Sequence, residues 1–423
     1  CPGCPERLTR RRRRRQPGLP RFTALRFGPN RVPFVGPPAN NHASGVSTKL
    51  GRWKEIIMPA FSRVHGVCRA ATLTAAAVLA SAAPLHAQLV TATIPQPVVD
   101  RWMYPFGSES GTRATVPVFS SANACGPDDR FDDRDSQFLV TFATASTVEP
   151  GWSAGAYRVL AATLRLRVSD ATTFAYDPTP DPLSSYLARG DAAVPCAPDA
   201  AFTPDADPGR PIEVFAVAFR NGFTPFTYGE SSPFKPGSAF VPPWIHVRNA
   251  YPIAFDASGA AHDASNPIKD RALLPGLGLG LAPGATPGSV PPDGTEFVFA
   301  IDASRPGAGA YIGSALASGR LPLLVSSLFD AQQEVIGTYP NFYTKEALPF
   351  LFPDAAPPAL ELSVFLCKAD HNGDGTLDPD DLADFIAGYF TSPPEPRSDF
   401  SRDGIIDPDD LADFIAAYFE GCP

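Results

Sequence analysis

Basic charge, long apolar runs and proline-free stretches are all in short supply over most of this sequence. From Gln88 to the end there are 42 Asp/Glu against 20 Lys/Arg, a net of −22. A surface of that sign repels nucleic acid and anionic membranes, so neither is expected as a partner. The apolar stretch Ala70–Ala83 is too short and Ala-rich for a bilayer span, which needs about 20 apolar residues. Forty-nine prolines and 34 glycines interrupt the chain every few residues, which disfavours long helices and favours short strands and loops. What remains suffices for a folded body: 423 residues, 44% hydrophobic and 11% aromatic, allow two or three domains.

The first 57 residues depart from this pattern, with 13 Lys/Arg, 2 Asp/Glu and the run Arg10–Arg15. Residues 58–87 then read as a secretory signal. Met58 is the first methionine, Arg63 and Arg69 supply positive charge, Ala70–Ala83 the apolar stretch, and Leu85-His86-Ala87 a cleavage end. Residues 1–57 are therefore expected to be upstream translation or a tail lost with the signal; a basic nucleic-acid arm is the sharper alternative, and secretion would remove it. Four cysteines follow the signal, Cys125, Cys196, Cys367 and Cys422, and an even number in an exported chain suggests disulfides with three open connectivities. Cys367 and Cys422 bracket the C-terminal segment; pairing them leaves Cys125 with Cys196.

The strongest signal is an internal repeat. The segment Asp378–Phe390 recurs 29 residues later as Asp407–Phe419 with one change, Gly388 to Ala417. Each copy closes a twelve-residue acidic loop, Asp370–Asp381 and Asp399–Asp410. Oxygen-bearing side chains stand at the first, third and fifth positions: Asp370, Asn372 and Asp374, then Asp399, Ser401 and Asp403. Gly375 and Gly404 are sixth, where the backbone must turn. The carbonyls of Thr376 and Ile405 are seventh, Asp378 and Asp407 ninth, and Asp381 and Asp410 last. A hard cation taking six to eight oxygens needs such alternation, so two calcium ions are expected, and calcium is expected to drive folding here. The second loop has a neutral third ligand and Arg402 beside it, which weakens its pattern. Three prolines between Pro393 and Pro396 forbid an entering helix, so each unit is loop–helix. Leu382, Phe385, Ile386 and Phe390, matched by Leu411, Phe414, Ile415 and Phe419, form helical stripes that should pack on each other.

These two loop–helix repeats resemble those of dockerins, and the ending Glu420-Gly-Cys-Pro423 resembles a variant abundant in exported planctomycete proteins. The resemblance covers residues 367–423 and implies a small all-α calcium-binding attachment domain, with a cohesin-like or cell-surface protein as partner. It also implies a secreted or bacterial cell-surface location. In dockerins the residues before the last ligand help read the partner. Here they are Pro379-Asp380 and Pro408-Asp409, not the small hydroxyl pair of cellulosomal examples, so a standard cohesin does not carry over. Tyr389 and Tyr418 are read as helix packing, with partner contact as the alternative.

Residues 95–366 read as a mainly β, jelly-roll-like β-sandwich. Phe138–Ala143 and Leu164–Val168 alternate, the latter wet on one face; Ile212–Phe219 and Phe297–Ile301 are apolar on both faces and suit central strands; Leu321–Leu328 and Leu360–Val364 complete the set. Leu274–Gly294 reads as a long loop, with Gly276–Gly280 flexible. Ser136–Phe142 followed by Tyr157–Val168 is similar to the paired-strand signature of DNRLRE-type sandwiches, bacterial extracellular domains allied to carbohydrate-binding modules. That resemblance implies a fold, and a polysaccharide as candidate ligand.

No catalytic residue is assigned. Asp128, Asp129, Asp132, Asp133 and Asp135 could supply a third calcium site, but their spacing lacks the loop pattern and a solvated loop is favoured. Glu213, Glu230, Glu296 and Glu334 are candidate glycosidase carboxylates only if two face each other across a sugar. His246 and His262 lack metal-ligand spacing. Trp102, Trp152 and Trp244 could stack on sugar rings, though each suits core or rim packing better. Two function classes therefore stand: a non-catalytic exported protein attached through its calcium module, or a glycoside hydrolase or polysaccharide lyase carrying that module. A purely structural surface protein is the third reading.

Overall fold

A computed structural model describes residues 87–104, 111–120, 132–169, 173–187, 197–235, 248–331 and 339–422. The basic segment, the signal up to residue 86, the Cys125–Cys196 pairing, Asp128, Asp129, Trp244, His246 and Glu334 lie outside the described residues.

The described chain is mainly β. Its strands are β1 Ala87–Ile94, β2 Val99–Met103, β3 Thr115–Pro117, β4 Gln137–Ala143, β5 Tyr157–Arg167, β6 Ile212–Phe219 and β7 Ala250–Phe255. They continue with β8 Ala261–Asp263, β9 Gly278–Leu281, β10 Glu296–Ile301, β11 Arg320–Ser327, β12 Asn341–Tyr343 and β13 Ala359–Cys367. Helix α1, Ala308–Ser318, lies between β10 and β11, and α2, Pro379–Phe390, and α3, Pro408–Glu420, follow β13. One large curled antiparallel sheet runs β1-β13-β5-β10-β9-β6-β11-β4-β2, with β7 and β8 continuing from β6, and β12 pairs separately with β3. Leu164, Phe297 and Leu362 from one limb of the curl share a buried cluster with Phe142, Val214 and Leu323 from the other. Burial of these side chains, each worth about 1.5–3 kcal/mol, holds the limbs together.

Period-2 alternation positions most strands. In β5, Leu164 and Leu166 are buried, while Arg165 lies on the wet face and bridges Glu296 of β10 at 2.7 Å and Glu361 of β13 at 2.8 Å. Strand β6 is buried from Val214 to Val217 and pairs with β11, β9 and β7, as a strand apolar on both faces should. Strand β10 differs from expectation: Phe297, Phe299 and Ile301 face the core, but Ala300 is exposed.

Three elements depart from the sequence reading. The sheet begins before residue 95, because β1 pairs with β13 from Ala87↔Cys367 to Ile94↔Leu360. The stretch read as a flexible glycine loop is β9, which joins the limbs by pairing with β10 on one side and β6 on the other. Its glycines are needed for close approach: a Cβ on Gly278 would lie 2.3 Å from the Ala300 carbonyl oxygen, and one on Gly280 2.6 Å from the Phe299 ring. Helix α1 buries Ala308, Ile312 and Leu316, a spacing of four that puts them on one face against the core.

No helix among the described residues is long and apolar enough to cross a membrane.

Candidate metal-binding loops and their junction with the body

The two acidic loops repeat one backbone design. In the first, Asp370 accepts the Gly373 amide at 2.8 Å and the Gly375 amide at 3.0 Å through its two carboxylate oxygens. In the second, Asp399 accepts the Gly404 amide at 2.9 Å. The fifth-position carboxylates of Asp374 and Asp403 accept the amides of Thr376 and Ile405 at 2.7 and 2.8 Å. The closing residues reach back across each loop: Asp381 accepts from the amides of Asn372 (3.1 Å) and Asp378 (3.0 Å), and Asp410 from those of Ser401 (2.8 Å) and Asp407 (3.0 Å). Gly375 and Gly404 turn the chain with φ of +87° and +89°, a region costly for side-chain-bearing residues.

The ninth and last positions also start the helices. Asp378 and Asp407 cap α2 and α3, accepting the amides of Asp380 and Asp409 at 2.8 and 2.9 Å, with Asp381 and Asp410 completing capping boxes. Pro379 and Pro408 occupy the first helical position, where no amide hydrogen is required.

The loops differ electrostatically. Burial raises Asp370 above the usual carboxylate range, and the charges of Asp381 and Asp374 add to it against amide hydrogen bonds. Asp410 also feels burial, but backbone hydrogen bonds from Ser401 and Asp407 outweigh it and hold the group low. Asp399 Oδ1 is buried without a hydrogen-bond partner. An orphaned oxygen in one loop and crowded carboxylates in the other fit an oxygen-seeking cation. Among the described residues, the sets of three or more acidic ligand atoms that converge within 4.8 Å lie in the body and not in these loops.

The helices meet at Phe385 and Phe414, whose rings stack 3.9 Å apart and 2° from parallel, with His371 edge-on to both. Tyr389 stacks on Phe385 and Tyr418 on Phe414, so both tyrosines serve helix packing. The expected stripe is covered only in part. Phe390 and Phe419 are 71% and 78% exposed, and Ile386 and Ile415 are exposed beside them, because the inter-helix seam runs through the Phe385 and Phe414 faces instead. The repeat's single change has a cause: a Cβ on Gly388 would stand 3.2 Å from Glu395 Oε2 and Ser398 Oγ, where the inter-repeat segment folds back on α2. The chain closes with a disulfide from Cys367, the last residue of β13, to Cys422, with Cα atoms 5.6 Å apart.

The loops also touch the body at Trp152. The Arg402 guanidinium lies 3.9 Å from the indole centroid and Lys368 Nζ 5.2 Å from it, while Phe400 packs edge-on. Glu149 gathers these groups, pairing with Lys368 at 2.8 Å and Arg402 at 3.3 Å and accepting Trp152 Nε1 at 3.1 Å. Partial burial would raise Glu149, but the Lys368 hydrogen bond and charge, the indole and Arg402 bring it below the ordinary carboxylate value. Arg402 also donates to the Pro150 carbonyl at 2.6 Å, and Arg158 to the Gly375 carbonyl at 2.7 Å. Its charge is thus directed at the body rather than at the second loop. A cleft of about 320 Å³ lies here, lined by Trp152, Ser153, Asp370, His371, Asp399 and Arg402 among others.

The remaining candidates fall into structural roles. Asp132, Asp133 and Asp135 are buried, not solvated: Asp132 pairs with Arg248 at 2.7 Å, and Asp133 accepts the amides of Ile268 and Lys269. Glu213 pairs with buried Arg134 at 3.1 Å and accepts the Gly276 amide. Trp102 is buried, donates to Ser136 and stacks on Tyr104. His262 is exposed and bonds Asp256. Glu230 meets Lys345, which also pairs with buried Asp100 at 3.1 Å and Glu346 at 3.7 Å, beside a cleft of about 760 Å³. Burial, then the Asp100 charge, pushes Glu346 up to about 7.

The sequence reading missed Glu149, Lys368 and the Gly-x-Ser-x-Gly spacing of Gly151–Gly155. That pentapeptide leads into a 3₁₀ turn and β5 rather than the strand-to-helix corner of a nucleophile elbow, and Ser153 Oγ contacts the Asp370 carbonyl at 3.3 Å. Compared with known proteins, the chain matches no family model and no curated protein sequence.

Proposed function

We propose that this is an exported, non-catalytic protein in which residues 367–423 form a dockerin-like, calcium-dependent attachment module carried by the β-rich body. The observation that carries the reading is the repetition of the sixth-position amide bond to the first aspartate and the ninth-position amide bond to the last, in two loops whose ligand positions suit calcium. Asp370, Asn372, Asp374, Thr376, Asp378 and Asp381 would hold one ion, and Asp399, Ser401, Asp403, Ile405, Asp407 and Asp410 the other. Calcium would bring positive charge among the loop carboxylates and so favour the folded loops. The exposed Ile386, Phe390, Ile415 and Phe419 offer a protein partner an apolar face with approximate twofold symmetry. The body then presents a carbohydrate-associated or surface-layer sandwich. Hydrogen exchange on the full chain, chelated and then titrated with calcium, should show rising protection in α2 and α3; unchanged protection defeats the proposal.

The cleft is lined by Glu230, whose carboxylate lies within 4.8 Å of those of Asp100 and Glu346, and this favours the alternative of a polysaccharide-degrading enzyme, since a carboxyl group near 7 suits a general acid. Against it, Lys345 engages all three carboxylates. Release of reducing ends or unsaturated sugars from a polysaccharide panel, abolished in Glu346→Gln, would establish that alternative.

A further inference from the structure

The body holds a carboxylate cluster that neither the loop repeat nor the attachment role uses. The connection between β5 and β6 carries Asp177-Pro-Thr-Pro-Asp181 and Asp205-Ala-Asp207, and one carboxylate oxygen from each of these four aspartates lies within 4.8 Å of the others. The prolines contribute no amide hydrogens; the Thr179 amide donates to Asp177 Oδ1 at 2.8 Å and the Ala206 amide to Asp205 Oδ1 at 2.9 Å, and neither brings positive charge.

Existing partners leave the cluster short of positive charge. Arg210 Nη1 donates to Asp181 at 2.7 Å and Asp205 at 3.0 Å, offsetting one of four negative charges. Thr179 Oγ1 stands 2.7 Å from Asp177 Oδ1 and 3.0 Å from Asp207 Oδ2. A hydroxyl has one hydrogen, so it cannot donate fully to both carboxylates. Asp177 is 3% exposed, and its Oδ2 is buried with no hydrogen-bond partner. A buried carboxylate oxygen without a donor is strongly unfavourable unless a cation meets it.

From this geometry we infer a cation site in the body, formed by Asp177, Asp181, Asp205 and Asp207, that takes a hard divalent ion. All four side chains offer oxygen, which selects hard cations over zinc or copper. Calcium–oxygen bonds of about 2.3–2.6 Å make a coordination sphere roughly 4.6–5.2 Å across, whereas magnesium's is closer to 4.2 Å. Oxygens that all lie within 4.8 Å of one another admit either ion, and calcium is the ion tested. The site is independent of the two C-terminal loops. It would fasten the long β5–β6 connection where it enters the central strand β6.

The test counts calcium ions bound per full-length chain, by equilibrium dialysis with radioactive calcium after chelation. The unaltered protein should bind three ions. A variant with Asp370→Ala, Asp374→Ala, Asp399→Ala and Asp403→Ala should keep one. Adding Asp207→Asn, an exposed position, should weaken that last ion at least tenfold, and adding Asp177→Asn should remove it. If the loop variant binds no ion, or if Asp207→Asn binds as tightly as its parent, the body site is overturned. If the attachment reading fails while this one holds, the unaltered chain and the loop variant each bind one ion.

Discussion

The loops Asp370–Asp381 and Asp399–Asp410 share most of their carboxylate-to-amide bonds and their helix caps, but the Gly373 bond to Asp370 has no counterpart at Asp399, and they meet the rest of the molecule differently. The first follows directly from β13, and its leading aspartate is buried. The second reaches the body through a side chain: Arg402 sits at the fourth position, with φ +62°, where the first loop has Gly373. A non-glycine residue there is strained, and its contacts to Trp152, Glu149 and Pro150 offset that strain. The exchange of Gly373 for Arg402 thus follows from neighbours that differ. Gly388 against Ala417 follows the same rule, since only the first helix is covered by the segment after it.

The pairing of the two helices is most sensitive at its centre. Phe385→Ala or Phe414→Ala should each cost about 3–5 kcal/mol by opening a cavity between the helices, and the two losses should be alike. Thermal unfolding with calcium present measures both, and unequal losses would deny the symmetry.

Asp370→Ala should then separate the loops. It strips the acceptor from two amides, at a cost of about 1–3 kcal/mol without calcium, and should weaken the first ion by on the order of 100-fold. Asp399→Ala should weaken the second ion comparably but destabilise the chelated protein less, because Asp399 is less buried. Titration calorimetry and melting of chelated protein check the two halves.

A smaller effect concerns the junction that only the second loop makes through Arg402. Glu149 has a folded pKa below its ordinary 4.5, so its stabilising contribution is complete above that pH and is lost as pH falls below it. Melting temperatures measured from pH 6 to 3 should fall less steeply in Glu149→Gln; an identical slope would show that the junction contributes nothing. Partial exposure of Glu149 keeps the difference modest.

The smallest change would make the helices alike. Gly388→Ala gains helix propensity of about 0.5–1 kcal/mol but crowds the side-chain tips of Glu395 and Ser398. A net shift within about 1 kcal/mol is expected from the same melts.

Alternation made β5 and β13 readable, because a strand with one wet face writes its period into the sequence, while β6 and β11 were legible as short apolar runs buried on both faces. Strand β9 was not readable: glycine ordinarily weakens strands, and only the approach of Ala300 and Phe299 explains Gly278 and Gly280. Helix α1 is short and built of alanine and glycine, so its polar face is too faint to declare a helix. The two acidic loops were legible because each oxygen-bearing residue has a fixed place within twelve residues, and the structure gives both the same turn glycine and helix cap. Helical spacing identified Leu382, Phe385, Ile386 and Phe390 as apolar but could not tell the covered from the exposed. The Trp152 junction joins residues about 250 positions apart, and no local pattern announces such a pair. The acidic run near Asp132 misled for a related reason, since its partner Arg248 is equally remote.

Strand β13 has one more consequence, a mechanical one. It is hydrogen-bonded to β1 on one side and β5 on the other, and it continues into the first loop, with Cys422 tethered to its last residue. A pull on the C-terminal helices would therefore be delivered along the strand axis. Both ladders would resist in shear, many bonds at once, rather than unzipping one by one. A protein held by its tail against flow or traction would carry the load through that strand.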